Sequence, residues 1–302
     1  MAKKHIIITA GDPLGIGPEI TVKALKKFKN AAQITVIGDG ESLLAAGWRD
    51  DMGVLIDIQS PRKKPLKRGP SEWGGDISFK ALLAAITLIN AGRADALLTA
   101  PVSKEAWGKA GVKFTGHTEV LKKYASAKNE ALMMFTSGPI HCALVSKHYP
   151  IKTLPEILTK ERILTAAKIF AGVLGKKAEI AVSAFNPHAG DGGKTGTEEI
   201  KIITPAVKEL KKQGYKISGP YPIDSLWQKH AAGKYDGILC MYHDQALLGL
   251  KLAAKQPVIH ITAGLKFLRV SPAHGTAFDI AGKNIADAGS MFAALNFAAR
   301  SK

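Results

Sequence analysis

Three apolar runs in this chain each end in a histidine: CALVSKHYP at His148, IAVSAFNPH at His188 and ILCMYH at His243. Imidazole is a neutral nitrogen ligand, and three of them with an open fourth position are a common protein contribution to a catalytic divalent metal site. The histidines lie 40 and 55 residues apart, so no local motif of the HExxH kind joins them. Position joins them instead. Each follows a short β-branched or aliphatic run bounded by Gly, Pro or Asp, which reads as a buried strand of a parallel sheet, and α/β proteins bind ligands outside the carboxyl ends of such strands. One histidine at a strand end is ordinarily a hydrogen-bonded rim residue. Three in one chain point to a metal centre.

Other segments could hold anions. GDPLGIGPEI, residues 11–20, reads either as a phosphate cradle or as a tight packing turn, with Pro18 suited to a first helical turn. Gly15 and Gly17 have the spacing of a dinucleotide fingerprint, but Ile20 stands where its third glycine belongs. AGDGGKTG is no P-loop, because His188 occupies the first glycine position. TAPVSKEAW places Ser103 and Lys104 at a helix start, and FTGHTEVL places His117 and Thr118 at another. Amides and the helix dipole favour an anion at such a start, and Thr118 could equally be a simple cap. Lys251 and Arg269 are cations downstream of His243 that could bind a phosphate or carboxylate. Asp224, before SLWQKHA, is an N-cap by default and an acid/base group by hypothesis.

Apolar runs and amphipathic stretches alternate along the chain: HIIITA then PEITVKALKKF, ITVIG then ESLLAAGW, ADALLTA then VSKEAWGKA. HCALVSK is followed by LPEILTKERILTAAKIFAGVLG, and EIAVSAF by EEIKIITPAVKELKKQG. This order predicts an α/β protein, a largely parallel sheet flanked by helices.

At 302 residues and 46% hydrophobic content the chain can fill one large or two medium cores. The net charge of +17 raises nucleic-acid binding, but the basic residues are scattered in pairs, and the densest run, RKKPLKR, lacks interleaved aromatics. A basic surface that steers a small anionic substrate fits better, with no nucleic-acid partner. The apolar stretch of MAKKHIIITAGDP is too short for a signal sequence and nothing approaches a membrane span, so a cytoplasmic protein is expected. Cys142 and Cys240 fall in predicted strands without metal spacing and read as core thiols of a reducing compartment.

Taken together, GDPLGIGPEI, TAPVSKEAW, FTGHTE, FNPHAGDGGKTGTEE, GPYPIDSLW, MYHDQALLGLK and SPAHGTAFDIAGKNIAD resemble the 4-hydroxythreonine-4-phosphate dehydrogenases of vitamin B6 synthesis, in order from near residue 5 to near residue 290. HGTAFDIAGK also resembles a loop of the isopropylmalate and isocitrate dehydrogenases that helps hold the adenosine of NAD. The resemblance implies a two-domain, isopropylmalate dehydrogenase-like fold. Residues 1–115 plus 262–302 would carry the NAD site, residues 116–261 the metal ligands, and the active site would lie in the cleft between them.

By residue, the resemblance makes His148, His188 and His243 the metal ligands. It makes His117, Thr118, Lys251, His260 and Arg269 substrate contacts, and His274, Gly275, Thr276 and Asp279 the cofactor loop. Asp224 and Lys104 are the candidates for proton transfer. The implied reaction oxidises and decarboxylates 4-phosphooxy-L-threonine with NAD or NADP and one divalent metal (zinc, cobalt, manganese or magnesium). The implied assembly is a homodimer that draws metal ligands from both subunits. The chain departs from the family at His260, where an asparagine is usual, and at Lys266, where a proline is usual. An imidazole there replaces an amide that both donates and accepts, so the contact geometry must change, and 4-phosphoerythronate, 4-phosphothreonate or a cis-diol are alternative substrates. A metal-dependent hydrolase would share the histidines and need no NAD.

Overall fold

The computed structural model describes residues 3–29, 32–125 and 131–301. The chain forms two compact units, Met1–Ala131 with Ile259–Lys302, and Leu132–Val258. In the first unit lie strands β1 (His5–Thr9), β2 (Gln33–Gly38), β3 (Val54–Asp57), β4 (Ala96–Thr99), β10 (Ile259–Ala263) and β11 (Leu268–Pro272). Its helices are α1 (Gly17–Lys27), α2 (Gly40–Ala45), α3 (Glu72–Asn90), α4 (Lys104–Lys109), α5 (His117–Tyr124) and α11 (Gly289–Arg300). The strand order is β3-β2-β1-β4-β11-β10, parallel throughout except for β10 against β11.

The sequence dictates this layering. HIIIT and ALLT are apolar on both faces, and such strands must be covered on both sides by helices. Ile7, Ile37 and Leu97 pack with Ala81, Leu82 and Ala85 of α3, all fully buried, and α11 packs on β4, β10 and β11. Each such Ile or Leu side chain contributes roughly 1.5–3 kcal/mol by leaving water.

The second unit holds β5 (Leu132–Ser137), β6 (Ile140–Leu144), β7 (Ile180–Ser183), β8 (Ile217–Tyr221) and β9 (Gly237–Cys240), in the order β5-β6-β9-β7-β8. Only β5 is antiparallel to its neighbour. Its helices are α6 (Leu154–Ile157), α7 (Lys160–Leu174), α8 (Thr204–Lys212), α9 (Ile223–Ala231) and α10 (His243–Ala253). Cys142 and Cys240 sit inside β6 and β9 as buried thiols, where burial pushes the Cys142 thiol up to about 12. They pack as small apolar groups.

Two stretches differ from the sequence reading. LPEILTKERILTAAKIFAGVLG forms two helices, because Thr159 takes an extended conformation and caps α7 by accepting from the Arg162 amide at 3.2 Å. EEIKII opens with a wider π-helical turn at Glu199–Ile203 before α8 begins. That turn buries Glu199, with consequences for His188.

Candidate functional site

In the first unit the strand ends gather a buried cation. Arg269 of β11 is only 2% exposed, and its guanidinium donates to Thr262 Oγ1 at 3.0 Å, His260 Nδ1 at 3.2 Å and Thr99 Oγ1 at 2.6 Å. Its Nε has no partner, and no carboxylate pairs with it among the described residues. Burial alone brings its pKa down to about 9. An uncompensated buried cation is costly, and an incoming anion would relieve the cost.

Beside it stands His117, the first residue of α5, its ring edge-on to Trp107 with centroids 5.7 Å apart. Burial, then the charges of Arg269 and His260, hold its pKa well below the ordinary histidine value, and its Nε2 is buried without a partner. His117 is therefore neutral, with one ring nitrogen left for a ligand. Gly116, not Thr118, is the N-cap of α5; Thr118 lies half-buried in the first turn. Lys104 opens α4 with its N-cap Ser103 bonded to the Ala106 amide, and its Cε lies 3.7 Å from where a Cβ on Gly116 would stand. Lys104 and His117 thus flank one loop.

His260 Nδ1 accepts from the guanidinium, which fixes that nitrogen as the unprotonated one. The imidazole so reproduces the accepting half of an amide. Thr99 and Thr262, the other two groups around Arg269, escaped the sequence reading; the signal was a hydroxyl at the end of an apolar strand in ALLT and IHITA.

The GDPLGIG turn meets the HGTAFD loop in the same unit. Ile16 donates its amide to Thr276 O at 2.9 Å, and a Cβ on Gly15 would stand 2.8 Å from that oxygen, so glycine is required there. Phe278 packs on Leu14, Trp73 and Ile77. His274, Gly275 and Asp279 are exposed on the loop, and the space where a Gly275 Cβ would stand is open. Asp12 is fully buried at the turn: Oδ1 accepts from the Leu14 amide at 3.0 Å, Oδ2 has no partner, and burial pushes the carboxyl up to about 6. The sequence reading passed over Asp12, although an acid between a strand and a glycine turn could have flagged it.

In the second unit β6, β9 and β7 are parallel neighbours, so their carboxyl ends carry His148, His243 and His188 to one edge. His148 and His243 come together, with ring centroids 5.1 Å apart. His243 Nδ1 pairs with Asp244 Oδ1 at 2.8 Å, which leaves Nε2 for a ligand. His188 does not join them within one chain. Among the described residues no group of three His, Cys, Asp or Glu could hold a metal.

The local backbone explains where His188 goes. Residues 188–192 run consecutively through the left-handed region, with φ of 51°, 55°, 77°, 45° and 67°. Glu199, buried in the π-helical turn, holds this loop by accepting from the Phe185 amide at 2.9 Å, the Asn186 amide at 2.7 Å and Asn186 Nδ2 at 3.0 Å. His188 is exposed on it. Asp224 is not the N-cap of α9: Pro222 holds that place, and Asp224 lies in the first turn accepting from the Ser225 amide at 2.7 Å. Lys251 is exposed in the last turn of α10, the helix that His243 begins.

The sequence model of the family described as "Pyridoxal phosphate biosynthetic protein PdxA" matches residues 20–298. A 4-hydroxythreonine-4-phosphate dehydrogenase of Caulobacter vibrioides is 37% identical, covering 99% of this chain and 98% of its own. One of Burkholderia vietnamiensis is 39% identical, covering 98% and 96%. The crystal structure of the Klebsiella pneumoniae enzyme of that name superposes with a TM-score of 0.85 at 32% identity, over 98% of this chain and 97% of the other.

Proposed function

The chain belongs to the pyridoxal phosphate biosynthetic protein PdxA family, and on that premise we propose that it oxidises the C3 hydroxyl of 4-phosphooxy-L-threonine with NAD or NADP. The resulting β-keto acid loses carbon dioxide to give 3-amino-2-oxopropyl phosphate. One observation carries the reading: Arg269 Nε and His117 Nε2 are buried without partners and, among the described residues, no carboxylate pairs with the guanidinium, which is the make-up of a receptor for a phosphorylated acid.

Arg269, His117, Thr118 and His260 of the first unit bind that substrate. Binding its phosphate away from the reacting carbon lets the chain orient the carbinol toward the nicotinamide. His274, Gly275, Thr276 and Asp279 hold the adenosine of the dinucleotide, and the open space at Gly275 beside the glycine turn suits a close approach of its backbone. The first unit is thus the cofactor unit and the second the metal unit.

The paired His148 and His243 suit two ligand positions of a divalent metal: zinc, cobalt, manganese or magnesium. His188 of a second copy supplies the third. Exposed apolar side chains on the segments that carry the three histidines favour such a homodimer: Tyr149 and Ile151 after His148, Ile200 against Gly193 of the His188 loop, and Leu248 and Leu252 on the helix that starts at His243. When bound, the cation supplies a Lewis acid that acidifies the carbinol and polarises the ketone. Asp224 and Lys104 move the protons. No helix among the described residues is long and apolar enough to cross a membrane, and the buried thiols fit a reducing cytoplasm.

A second substrate branch is favoured by His260, whose Nδ1 is already taken by Arg269. With Nδ1 accepting, the ring proton lies on Nε2, a donor placed differently from an amide NH2, so 4-phosphothreonate or 4-phosphoerythronate is the alternative. The test is NADH and NADPH absorbance with the three phosphorylated acids, with and without chelator. Reduction that a chelator abolishes is expected; no reduction with any of them would refute the dehydrogenase reading.

A further inference from the structure

We propose that Arg68 is a phosphate clamp for the dinucleotide, a role that rests on the cofactor reading above. Arg68 lies in the basic loop between β3 and α3. Its Nη1 donates to Leu14 O at 3.1 Å and Pro13 O at 3.4 Å, on the GDPLGIG turn. Its other edge lies on Gly282, where a Cβ would stand 2.6 Å from Nη2 and 3.0 Å from Nε. Gly282 follows directly on the HGTAFDIA segment and has φ of 77°. One guanidinium therefore touches both segments that the cofactor reading needs.

Its charge is unanswered. Two neighbouring cations of the loop are engaged: Arg62 pairs with Glu72 and Asp76, and Lys64 pairs with Glu41 and lies over the Trp73 ring. Arg68, among the described residues, has only two backbone carbonyls and no carboxylate within ion-pair distance. Two carbonyls fix the plane of a guanidinium without neutralising it. A planar cation so oriented, and exposed, is prepared for a phosphate oxygen. The dinucleotide is the phosphate-bearing ligand that these two segments are proposed to hold, and its diphosphate is the part with the charge to match. The glycine at 282 is then favoured by its backbone angle, and its missing Cβ leaves room for the guanidinium.

The experiment measures binding directly, by calorimetry on the metal-free full chain, with NAD, NADP, ADP and adenosine as probes. Arg68→Gln retains a donor for the Leu14 carbonyl and removes the charge; Arg68→Ala removes both. Both variants are expected to bind NAD and ADP about tenfold more weakly or worse, with adenosine within about twofold of the parent and the KM for the phosphorylated acid unchanged. A further loss confined to NADP would place the 2′-phosphate on the same guanidinium. Equal NAD affinity in parent and Arg68→Gln overturns the clamp and leaves the dehydrogenase reading standing. Equal weakening of ADP and adenosine overturns it too, since Arg68 would then only hold the turn together. A parent chain that binds no dinucleotide overturns the cofactor reading itself.

Discussion

Arg269 donates to Thr99 Oγ1 at 2.6 Å across the parallel pair of β11 and β4, with the guanidinium buried and, among the described residues, no carboxylate to balance it. The bond orients a charge that the folded chain does not neutralise. Arg269→Ala is expected to raise KM for the phosphorylated substrate by about 100-fold with a much smaller change in kcat, since a charge-assisted contact is worth about 2–3 kcal/mol. Arg269→Met, which removes the charge and fills the space, is expected to raise Tm of the ligand-free protein. An unchanged KM in both variants would remove Arg269 from the substrate site.

Asp12 gives stability an unusual pH slope. Its folded pKa is raised from 3.8 to about 6, so the folded chain holds the proton more tightly than the unfolded chain. Stability from this group is full below pH 3.8 and declines as pH rises toward 6. Asp12→Asn is expected to stabilise the protein above pH 6 by an amount of order 2–3 kcal/mol. Thermal melts of both proteins at pH 4 and pH 7.5 check it; an equal Tm difference at the two pH values would contradict the sign.

His141 works the other way. Burial first, then the charge of His230, lowers its pKa from 6.5 to about 4, with Asp236 opposing. Its contribution is complete above pH 6.5 and is lost as pH falls through 4, because the unfolded chain takes up the proton first. His141→Gln is expected to flatten the fall in Tm between pH 6.5 and 4.5, with activity at neutral pH unchanged. A melt series with the same acid slope as the parent would exclude it.

The proposed sharing of metal ligands predicts complementation. His148→Ala and His188→Ala should each lose metal and activity. Mixing the two after mild dissociation should restore about a quarter of parental activity, because half of the dimers are then mixed and each mixed dimer has one intact site. No recovery on mixing, with mixed dimers demonstrated by native mass spectrometry, would return all three histidines to one protomer.

Much of this was legible in the residues. A strand is marked by a short run of β-branched and aliphatic residues, so the strands that precede His148, His188 and His243 could be found from composition alone. Which of those histidines meet is set by backbone after the strand, and a left-handed run leaves no periodic trace. Asp224 shows the same limit: an acid just before a helix reads as a cap or as an acid/base group, and only the backbone puts the N-cap two residues earlier, at Pro222. Glu199 was hidden because a charged residue in an amphipathic stretch reads as solvent-facing; only the π-helical turn puts it inside. Arg269 is visible in the sequence as a cation downstream of His243, whereas its burial against Thr262 and Thr99 comes from strand pairing that the sequence does not display.

The mirror-handed stretch at residues 188–192 has a consequence for any attempt to improve this protein by consensus or by design. His188, Ala189 and Asp191 each occupy a conformation that costs a side-chain-bearing residue on the order of 1 kcal/mol, and glycine would occupy it without that penalty. A screen that rewards heat tolerance alone will therefore drift toward glycine at 188, and its most robust winners will have discarded an imidazole.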